Sequence, residues 1–158
     1  MLKPVSDQIL HRIAQAAELY HRLVLLVAHS GVGKTAALLD IAKQTGFRYI
    51  NVNLQLSRCL LDLTERQRAL QVPRLLADVI GKNGDQAVLL DNIEILFDVS
   101  LKQDPLRLLQ RLSRNRTVVA AWNGTVADRF LLYATPDHPE YRRYPVDDLL
   151  VVSPEVPA

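Results

Sequence analysis

Apolar positions along the chain fall into short, strand-length runs and into longer segments with helical spacing. The run RLVLLVA, from Arg22 to Ala28, is almost wholly apolar, which is typical of a strand covered on both faces. The pattern as a whole predicts five strands: Arg22–Ala28, Arg48–Leu54, Gln86–Asp91, Thr117–Trp122 and Asp148–Val152. Helical spacing predicts helices at Ser6–Tyr20, Lys34–Thr45, about Ser57–Gln71, Pro73–Lys82, Ile93–Phe97, Asp104–Arg114 and Thr125–Leu132.

Local signals mark the ends of several elements. Ser6 is expected to cap the first helix, and Gly46 suits the position just after the second. Pro73 and Pro105 suit first helical turns, and the residues KNGD at 82–85 predict a turn before the third strand. Because strands alternate with helices, the expected fold is a three-layer α/β domain with a parallel sheet.

Length and composition indicate one soluble domain. A chain of 158 residues suits a single core, which we expect to span 22–152 after an N-terminal helix within 1–21, with a frayed tail at 153–158. The N-terminus lacks an apolar signal core, and no apolar run approaches the ~20 residues of a membrane span. A lone cysteine, Cys59, excludes an internal disulfide and is expected to be buried. These features predict a cytoplasmic protein with no membrane partner.

Charge adds a weak hint about ligands. The net charge of +2 is too small to indicate nucleic acid, although DNA binding by an assembly stays open. The chain has 14 arginines and 5 lysines, which mildly favours phosphate or interface contacts because guanidinium groups bind phosphates and carboxylates bidentately.

The sequence AHSGVGKT, from Ala28 to Thr35, follows the first strand and opens the second helix. It matches the Walker A phosphate-binding pattern G-x-x-x-x-G-K-[ST], except that Ala28 replaces the first glycine. Backbone N–H groups and the helix N-terminus can hold phosphates, Lys34 adds a positive charge, and the Thr35 hydroxyl can bind Mg²⁺. The predicted nucleotide-binding residues are His29, Ser30, Gly31, Val32, Gly33, Lys34, Thr35 and Ala36.

Polar residues at the ends of later strands supply the rest of a triphosphate site. Asp91 ends the third strand and can hold the water shell of Mg²⁺, as a Walker B aspartate does. Asn123 follows the fourth strand, where a polar side chain could hold the attacking water. Small-molecule kinases place their acid on the second strand, but here that strand carries Asn51 and Asn53.

Lys34, Asp91 and Asn123 together resemble the core of AAA+ and STAND ATPases. The resemblance implies the sheet order 5-1-4-3-2, with the loop strand in the centre. Many AAA+ proteins have a glutamate after the Walker B aspartate to activate water, whereas this chain has Asn92, which cannot accept a proton. Glu94 could replace that glutamate, or it could be a capping or surface carboxylate. Slow hydrolysis is therefore expected.

The resemblance also implies completion of the site by a second copy. After the fifth strand, little sequence remains to form the helical lid of AAA+ proteins, so a homo-oligomer is expected. Arg142 and Arg143 lie where the resemblance would place an arginine that acts on a neighbour. Arg114 and Arg116 flank the fourth strand at its other end. For both pairs, a solvated loop is the alternative.

Longer strings give a more specific resemblance. AHSGVGKT, RLLDLTERQRALQVPRLL, LLDNIEILFDVSLKQDPLRLLQRLSRNRTVVAAWNG and HPEYRRY together resemble the BrxF-type P-loop proteins of type III BREX phage-defence systems. The resemblance implies a small cytoplasmic ATPase-like component that works beside other BREX proteins, including a methyltransferase and a larger ATPase.

Three functions remain open from the sequence. The first is an ATP- and Mg²⁺-binding subunit that hydrolyses slowly and whose nucleotide state controls assembly. The second is a non-hydrolysing module that uses nucleotide as a structural ligand, for which Asn92 is the best argument. The third is a small-molecule kinase, which the second strand disfavours.

Overall fold

Five parallel strands form the central sheet of the protein, and three antiparallel strands form a smaller one. The computed structural model describes residues 4–81 and 86–154. The strands, in chain order, are β1 (Leu23–Ala28), β2 (Arg48–Asn51), β3 (Val88–Asp91), β4 (Val118–Asn123), β5 (Thr125–Ala127), β6 (Phe130–Tyr133), β7 (Arg142–Pro145) and β8 (Leu150–Val152). The helices are α1 (Val5–Ala16), α2 (Lys34–Thr45), α3 (Val52–Leu60), α4 (Glu65–Ile80) and α5 (Pro105–Leu112), and 3₁₀ turns span Ile93–Phe97 and Val99–Leu101.

The order of the parallel sheet is β2-β3-β4-β1-β8. Since β8 is the fifth predicted strand, this is the expected order 5-1-4-3-2 read from the opposite edge. All four neighbouring pairs are parallel. The strand before the phosphate-binding pattern therefore lies inside the sheet, and β4 separates it from the strand that ends in Asp91.

Both faces of the parallel sheet are covered, as the apolar run of β1 predicted. Leu25 and Val27 pack in a core with α3, α4 and α5, whereas Val24 and Leu26 pack in a second core with α1 and α2. Alternate side chains of one strand thus enter opposite cores, which accounts for a strand that is apolar at every position. The arrangement is compatible with the predicted three layers.

The first helix differs from its prediction at both ends. It begins at Val5 after Pro4, so Ser6 lies inside the first turn, where it is buried, and does not cap the helix. The Pro4 carbonyl accepts a hydrogen bond from the Gln8 N–H at 3.1 Å, which starts the helical ladder. The helix ends at Ala16, four residues before the predicted end at Tyr20.

The second strand is shorter than predicted because Asn51 starts a helix. The Asn51 side-chain oxygen accepts a hydrogen bond from the Leu54 N–H at 3.0 Å, which caps α3. The apolar residues that follow Asn51, read as strand alternation in the sequence, therefore belong to α3. Cys59 lies on the exposed side of that helix, so the prediction that it is buried is wrong.

The predicted helix Ser57–Gln71 is interrupted at 61–64, and α4 begins at Glu65 and continues through Pro73, where a separate helix was predicted to begin. Thr64 and Gln67 form a capping box at its start, which fixes the beginning of the helix eight residues before the proline. A proline has no N–H to bond the carbonyl four residues earlier, which is that of Ala69. The side-chain amide of Gln103 donates to this carbonyl at 2.8 Å and so replaces the missing bond. Pro105 does begin α5, as predicted, and the predicted turn at 82–85 lies outside the described residues.

The helix predicted at Thr125–Leu132 is wrong, because these residues form the hairpin of β5 and β6. Asp128 and Arg129 form its turn with φ values of 51° and 68°. Positive φ at both central positions is the requirement of a type I′ hairpin, which usually contains glycine. The side-chain N–H of Trp122 donates to the Leu132 carbonyl at 3.1 Å, which ties the hairpin to the central sheet.

An aromatic cluster joins the two sheets. The rings of Phe97 and Tyr133 are stacked at 3.5 Å between centroids, and Phe97 meets the buried Trp122 edge to face at 5.1 Å. Tyr144 of β7 also packs edge to face against Trp122. The smaller sheet is thereby held beside the carboxyl ends of the parallel strands. Within the described ranges, every helix falls short of the length and apolar character that crossing a bilayer requires.

Candidate nucleotide-binding site

The predicted phosphate-binding loop connects β1 to α2. Gly31 and Gly33 adopt φ values of 85° and 94°, a region that residues with a Cβ rarely occupy. No atom lies within 4 Å of the position that a Cβ would take on either glycine, so it is the backbone angle that requires glycine there. Ala28 is a buried strand residue and has no positive φ, which explains why alanine fits at the first position of the pattern.

The loop geometry suits an anion. Helix α2 has 12 residues and begins at Lys34, and Gly33 before it supplies no side chain to cap the first turn. The amide N–H groups of a first helical turn carry partial positive charge and can hold phosphate oxygens. The local fold therefore places the donors of an anion-binding turn at the end of a central strand.

Lys34 is largely buried beneath this loop. Its ammonium group donates to the carbonyl oxygens of Ala28 at 2.8 Å and of His29 at 2.7 Å. These bonds hold the charge of Lys34 at the carboxyl end of β1, beside the loop that would receive phosphate.

The Asp91 carboxylate accepts three hydrogen bonds within the site, and the residue is 3% exposed. Its Oδ2 accepts hydrogen bonds from the Thr35 hydroxyl at 2.6 Å and from the Tyr49 hydroxyl at 2.6 Å. Its Oδ1 accepts a hydrogen bond from the Asn92 N–H at 3.0 Å. The two residues predicted to bind Mg²⁺, Thr35 and Asp91, are thus in direct contact.

Tyr49 is a site residue that the sequence analysis did not identify. It lies on β2 as one residue of a short strand, and no motif distinguishes it. Partial burial, together with the hydrogen bond and negative charge of Asp91, raises the pKa of Tyr49 to about 12. The phenol therefore keeps its proton, and acts as a donor, at neutral pH.

Asn92 has a left-handed backbone conformation, with φ of 53°. Asparagine tolerates this conformation better than other residues with a Cβ. The turn leads directly into the 3₁₀ helix at Ile93–Phe97 and brings Glu94 to the tip of β4, where the Asn123 side-chain amide donates a hydrogen bond to the Glu94 carboxylate.

These side chains surround a cleft of about 240 Å³. Its lining residues come from the loop, from the end of β3 and from the end of β4: Ser30, Gly31, Gly33, Lys34, Thr35, Asp91, Asn92, Glu94 and Asn123. A larger cavity of about 440 Å³ adjoins it on the side of the small sheet and shares Ser30 and Asn123 with it. The cleft is therefore open towards that sheet.

Five predicted site residues lie outside the lining of the cleft, and one of them, His29, lines the adjoining cavity instead. Val32 and Ala36 are exposed on the loop and on the first turn of α2. Arg142 and Arg143 belong to β7 and not to a solvated loop. Arg142 donates to the Gln103 carbonyl at 2.7 Å, and the Arg143 guanidinium lies 3.5 Å from the centre of the Phe130 ring. Both arginines are thus held on the small sheet of their own chain.

The donor atoms fit a magnesium ion that arrives with phosphate. Among the described residues, no group of three or more histidine, cysteine, aspartate or glutamate side chains could hold a metal by itself. Thr35 and Asp91 offer only hard oxygen atoms, which suits Mg²⁺, an ion that protein sites bind through one or two carboxylates plus phosphate and water. These two residues could hold the ion only together with a ligand that supplies further oxygens.

Comparison of the chain with protein-family models and with curated protein sequences gives no match.

The conformation of Asn92 generates a stability prediction. Replacing Asn92 with alanine should lower the free energy of unfolding by about 1 kcal/mol, because a Cβ without a compensating polar group disfavours positive φ. Asn92→Gly should change it by only a few tenths of a kcal/mol, since glycine accepts this backbone angle. Urea denaturation would measure both, with Asn115→Ala, at an exposed position without positive φ, as the control. Equal stability of the alanine and glycine variants would contradict the prediction.

Proposed function

We propose that this protein binds ATP with Mg²⁺ and hydrolyses it slowly, as an AAA+-like P-loop subunit. One observation carries the proposal: Lys34, Thr35 and Asp91 line one cleft beside a glycine-containing loop at a helix N-terminus, and the Thr35 hydroxyl donates a hydrogen bond to Asp91 at 2.6 Å. The loop residues come from one segment and Asp91 from a strand 56 residues further along the chain. The contact between the loop and this distant carboxylate supports the proposal.

Each of these residues has a defined task in triphosphate binding. The N–H groups of the loop and of the first turn of α2 would bind phosphate oxygens, and the ammonium of Lys34 would contribute a positive charge. The Thr35 hydroxyl, which donates a hydrogen bond to Asp91, keeps its oxygen lone pairs for a metal ion. When bound, Mg²⁺ would neutralise phosphate charge, and Asp91 would orient the water molecules around it.

Glu94 is the proposed general base, because this chain has Asn92 at the position where many AAA+ proteins have a catalytic glutamate. It lies in the cleft beside the loop, and Asn123 orients its carboxylate from the neighbouring strand. A carboxylate can accept a proton from water, whereas the amide of Asn92 cannot. Because Glu94 is displaced by two residues from the usual position of this base, we propose slow turnover.

The second candidate function is a module that binds nucleotide without hydrolysing it. Two observations favour it: Asn92 occupies the position of the usual base, and the carboxylate of Glu94 is already bonded to Asn123. In that case bound nucleotide would serve to hold the ends of β1, β3 and β4 together and to organise a binding surface.

We also propose that a second copy of the chain completes the site. The cleft is open towards the small sheet, and neither Arg142 nor Arg143 lines the cleft of its own chain. An arginine from a neighbour could reach the phosphates through this opening. The resemblance to BrxF-type proteins supports a cytoplasmic role in phage defence beside other BREX proteins.

The central proposal predicts that Lys34→Ala loses ATP affinity. A charge-assisted hydrogen bond contributes roughly 1.5–3 kcal/mol, so the dissociation constant should rise about 10- to 100-fold. Calorimetric titration with ATP and Mg²⁺ would measure it. Lys43→Ala, an exposed lysine on the same helix, is the matched control and should bind like the unmodified protein. Unchanged ATP affinity in Lys34→Ala would contradict the proposal that ATP binds at this site.

Hydrolysis separates the two candidate functions. Glu94→Gln should reduce phosphate release about 100-fold, because it removes the proton acceptor, while ATP affinity stays within a factor of two. Glu65→Gln, at an exposed position at the start of α4, is the control. If neither the unmodified protein nor Asn92→Glu releases phosphate, even at high protein concentration, the non-hydrolysing module is the better description.

Completion by a second copy predicts that nucleotide changes the assembly state. Light scattering coupled to size separation should give a larger mass with ATP and Mg²⁺ than without them, because the phosphate charge offers a partner for an arginine of the neighbour. Lys34→Ala should keep the smaller mass under both conditions. A mass that is independent of nucleotide would count against completion by a neighbour, while leaving ATP binding intact.

A further inference from the structure

We infer that Tyr49 is a positioning residue that orients the Asp91 carboxylate for a divalent cation brought by a nucleoside triphosphate. The inference rests on the proposed function and adds to it a residue that no motif contains. Tyr49 does not line the cleft that contains Lys34, Thr35 and Asp91, and its hydroxyl donates to Asp91 at 2.6 Å. It would therefore act on the metal through Asp91 and not by contact with the ligand.

The strand register explains how Tyr49 reaches this carboxylate. Strands β2 and β3 are parallel neighbours, with Tyr49 opposite Leu89 and Asn51 opposite Asp91. Tyr49 thus lies two residues before the end of its strand, and its side chain is long enough for the hydroxyl to reach the Asp91 carboxylate. A shorter hydroxyl side chain at the same position, such as serine, would end well before the carboxylate.

The three hydrogen bonds to the Asp91 carboxylate are distributed unequally over its two oxygens. Among residues 4–81 and 86–154, Thr35 and Tyr49 both donate to Oδ2, whereas the donor to Oδ1 is the backbone N–H of Asn92. A carboxylate oxygen has two lone-pair directions in its plane, so Oδ2 is saturated and Oδ1 keeps the capacity to accept another donor. Tyr49 thereby determines which oxygen stays available to the water molecules around a metal ion.

A phenol is suited to this task because it is neutral. A lysine or arginine in its place would also hold the carboxylate, but its positive charge would repel a divalent cation a few ångströms away. Tyr49 orients Asp91 and leaves its full negative charge available to the metal. Outer residues that orient the ligands of a metal typically change metal affinity about 10- to 100-fold when they are removed.

The test is the magnesium dependence of ATP binding, which does not require turnover. ATP would be titrated by calorimetry in EDTA and at a series of Mg²⁺ concentrations. Tyr49→Phe keeps the ring and removes only the hydroxyl, so affinity in EDTA should stay within a factor of two. The Mg²⁺ concentration that gives half of the full gain in affinity should rise about 10-fold.

The chain offers a matched control for the loss of a tyrosine hydroxyl. Tyr144 also donates to an aspartate, Asp104, at 2.9 Å, and neither residue lines the cleft. Tyr144→Phe should leave the Mg²⁺ midpoint unchanged, even if it lowers stability. In an Asp91→Asn background, Tyr49→Phe should cause no further shift, because the group through which it acts has lost its charge.

The outcomes distinguish this inference from the function on which it rests. If the unmodified protein binds ATP with a Mg²⁺-dependent affinity and Tyr49→Phe has the same midpoint, Tyr49 is only a packing residue and the inference is wrong. A shift of similar size in Tyr144→Phe would overturn it equally, as a general effect of stability. If the unmodified protein does not bind ATP under any condition, the proposed function fails and the role of Tyr49 fails with it.

Discussion

The parallel pairing of β1, β4 and β3 is the constraint on which the candidate site depends. In this register Ala28 lies opposite Asn123, and Asn51 lies opposite Asp91, so the polar residues that end three strands meet at one edge of the sheet. Both faces of these strands are buried, and a one-residue shift of register would move every side chain of a strand into the opposite core. The energy that fixes the core therefore also fixes the distances within the cleft.

The sequence was sufficient to predict the convergence of Thr35 with Asp91, whereas the sheet order was implied by the resemblance to AAA+ and STAND ATPases. The prediction for Thr35 and Asp91 uses signals that are local and strong: an uninterrupted apolar strand, a glycine-containing loop that opens a helix, and an acid directly after a buried strand. The parallel arrangement then brings strand ends together without further information. Asn123 was predicted for the same reason, and its contact with Glu94 follows from the adjacency of β3 and β4.

The features that could not be predicted depend on contacts between distant residues. Pro73 was expected to begin a helix, but Gln103 donates to the carbonyl that the proline leaves unbonded, and so the helix continues through it. The hairpin turn at Asp128 and Arg129 lacks glycine, and its adjacent apolar residues fit a helix equally well. Tyr49 gains its importance only from the register of β2 with β3. No local pattern contains this information.

The turn at Asn92 links the backbone geometry of the cleft to its chemistry. The left-handed conformation favours asparagine and disfavours glutamate, which explains the absence of a base at the residue after Asp91. The same turn starts the 3₁₀ helix that brings Glu94 to Asn123. The cleft therefore contains a carboxylate at Glu94, two residues after Asn92. In the proposed function, Asp91, held by Thr35 and Tyr49, would serve a metal ion, and Glu94 would activate water. Because the backbone turn at Asn92 determines where the 3₁₀ helix begins, a change of conformation at Asn92 would also move Glu94.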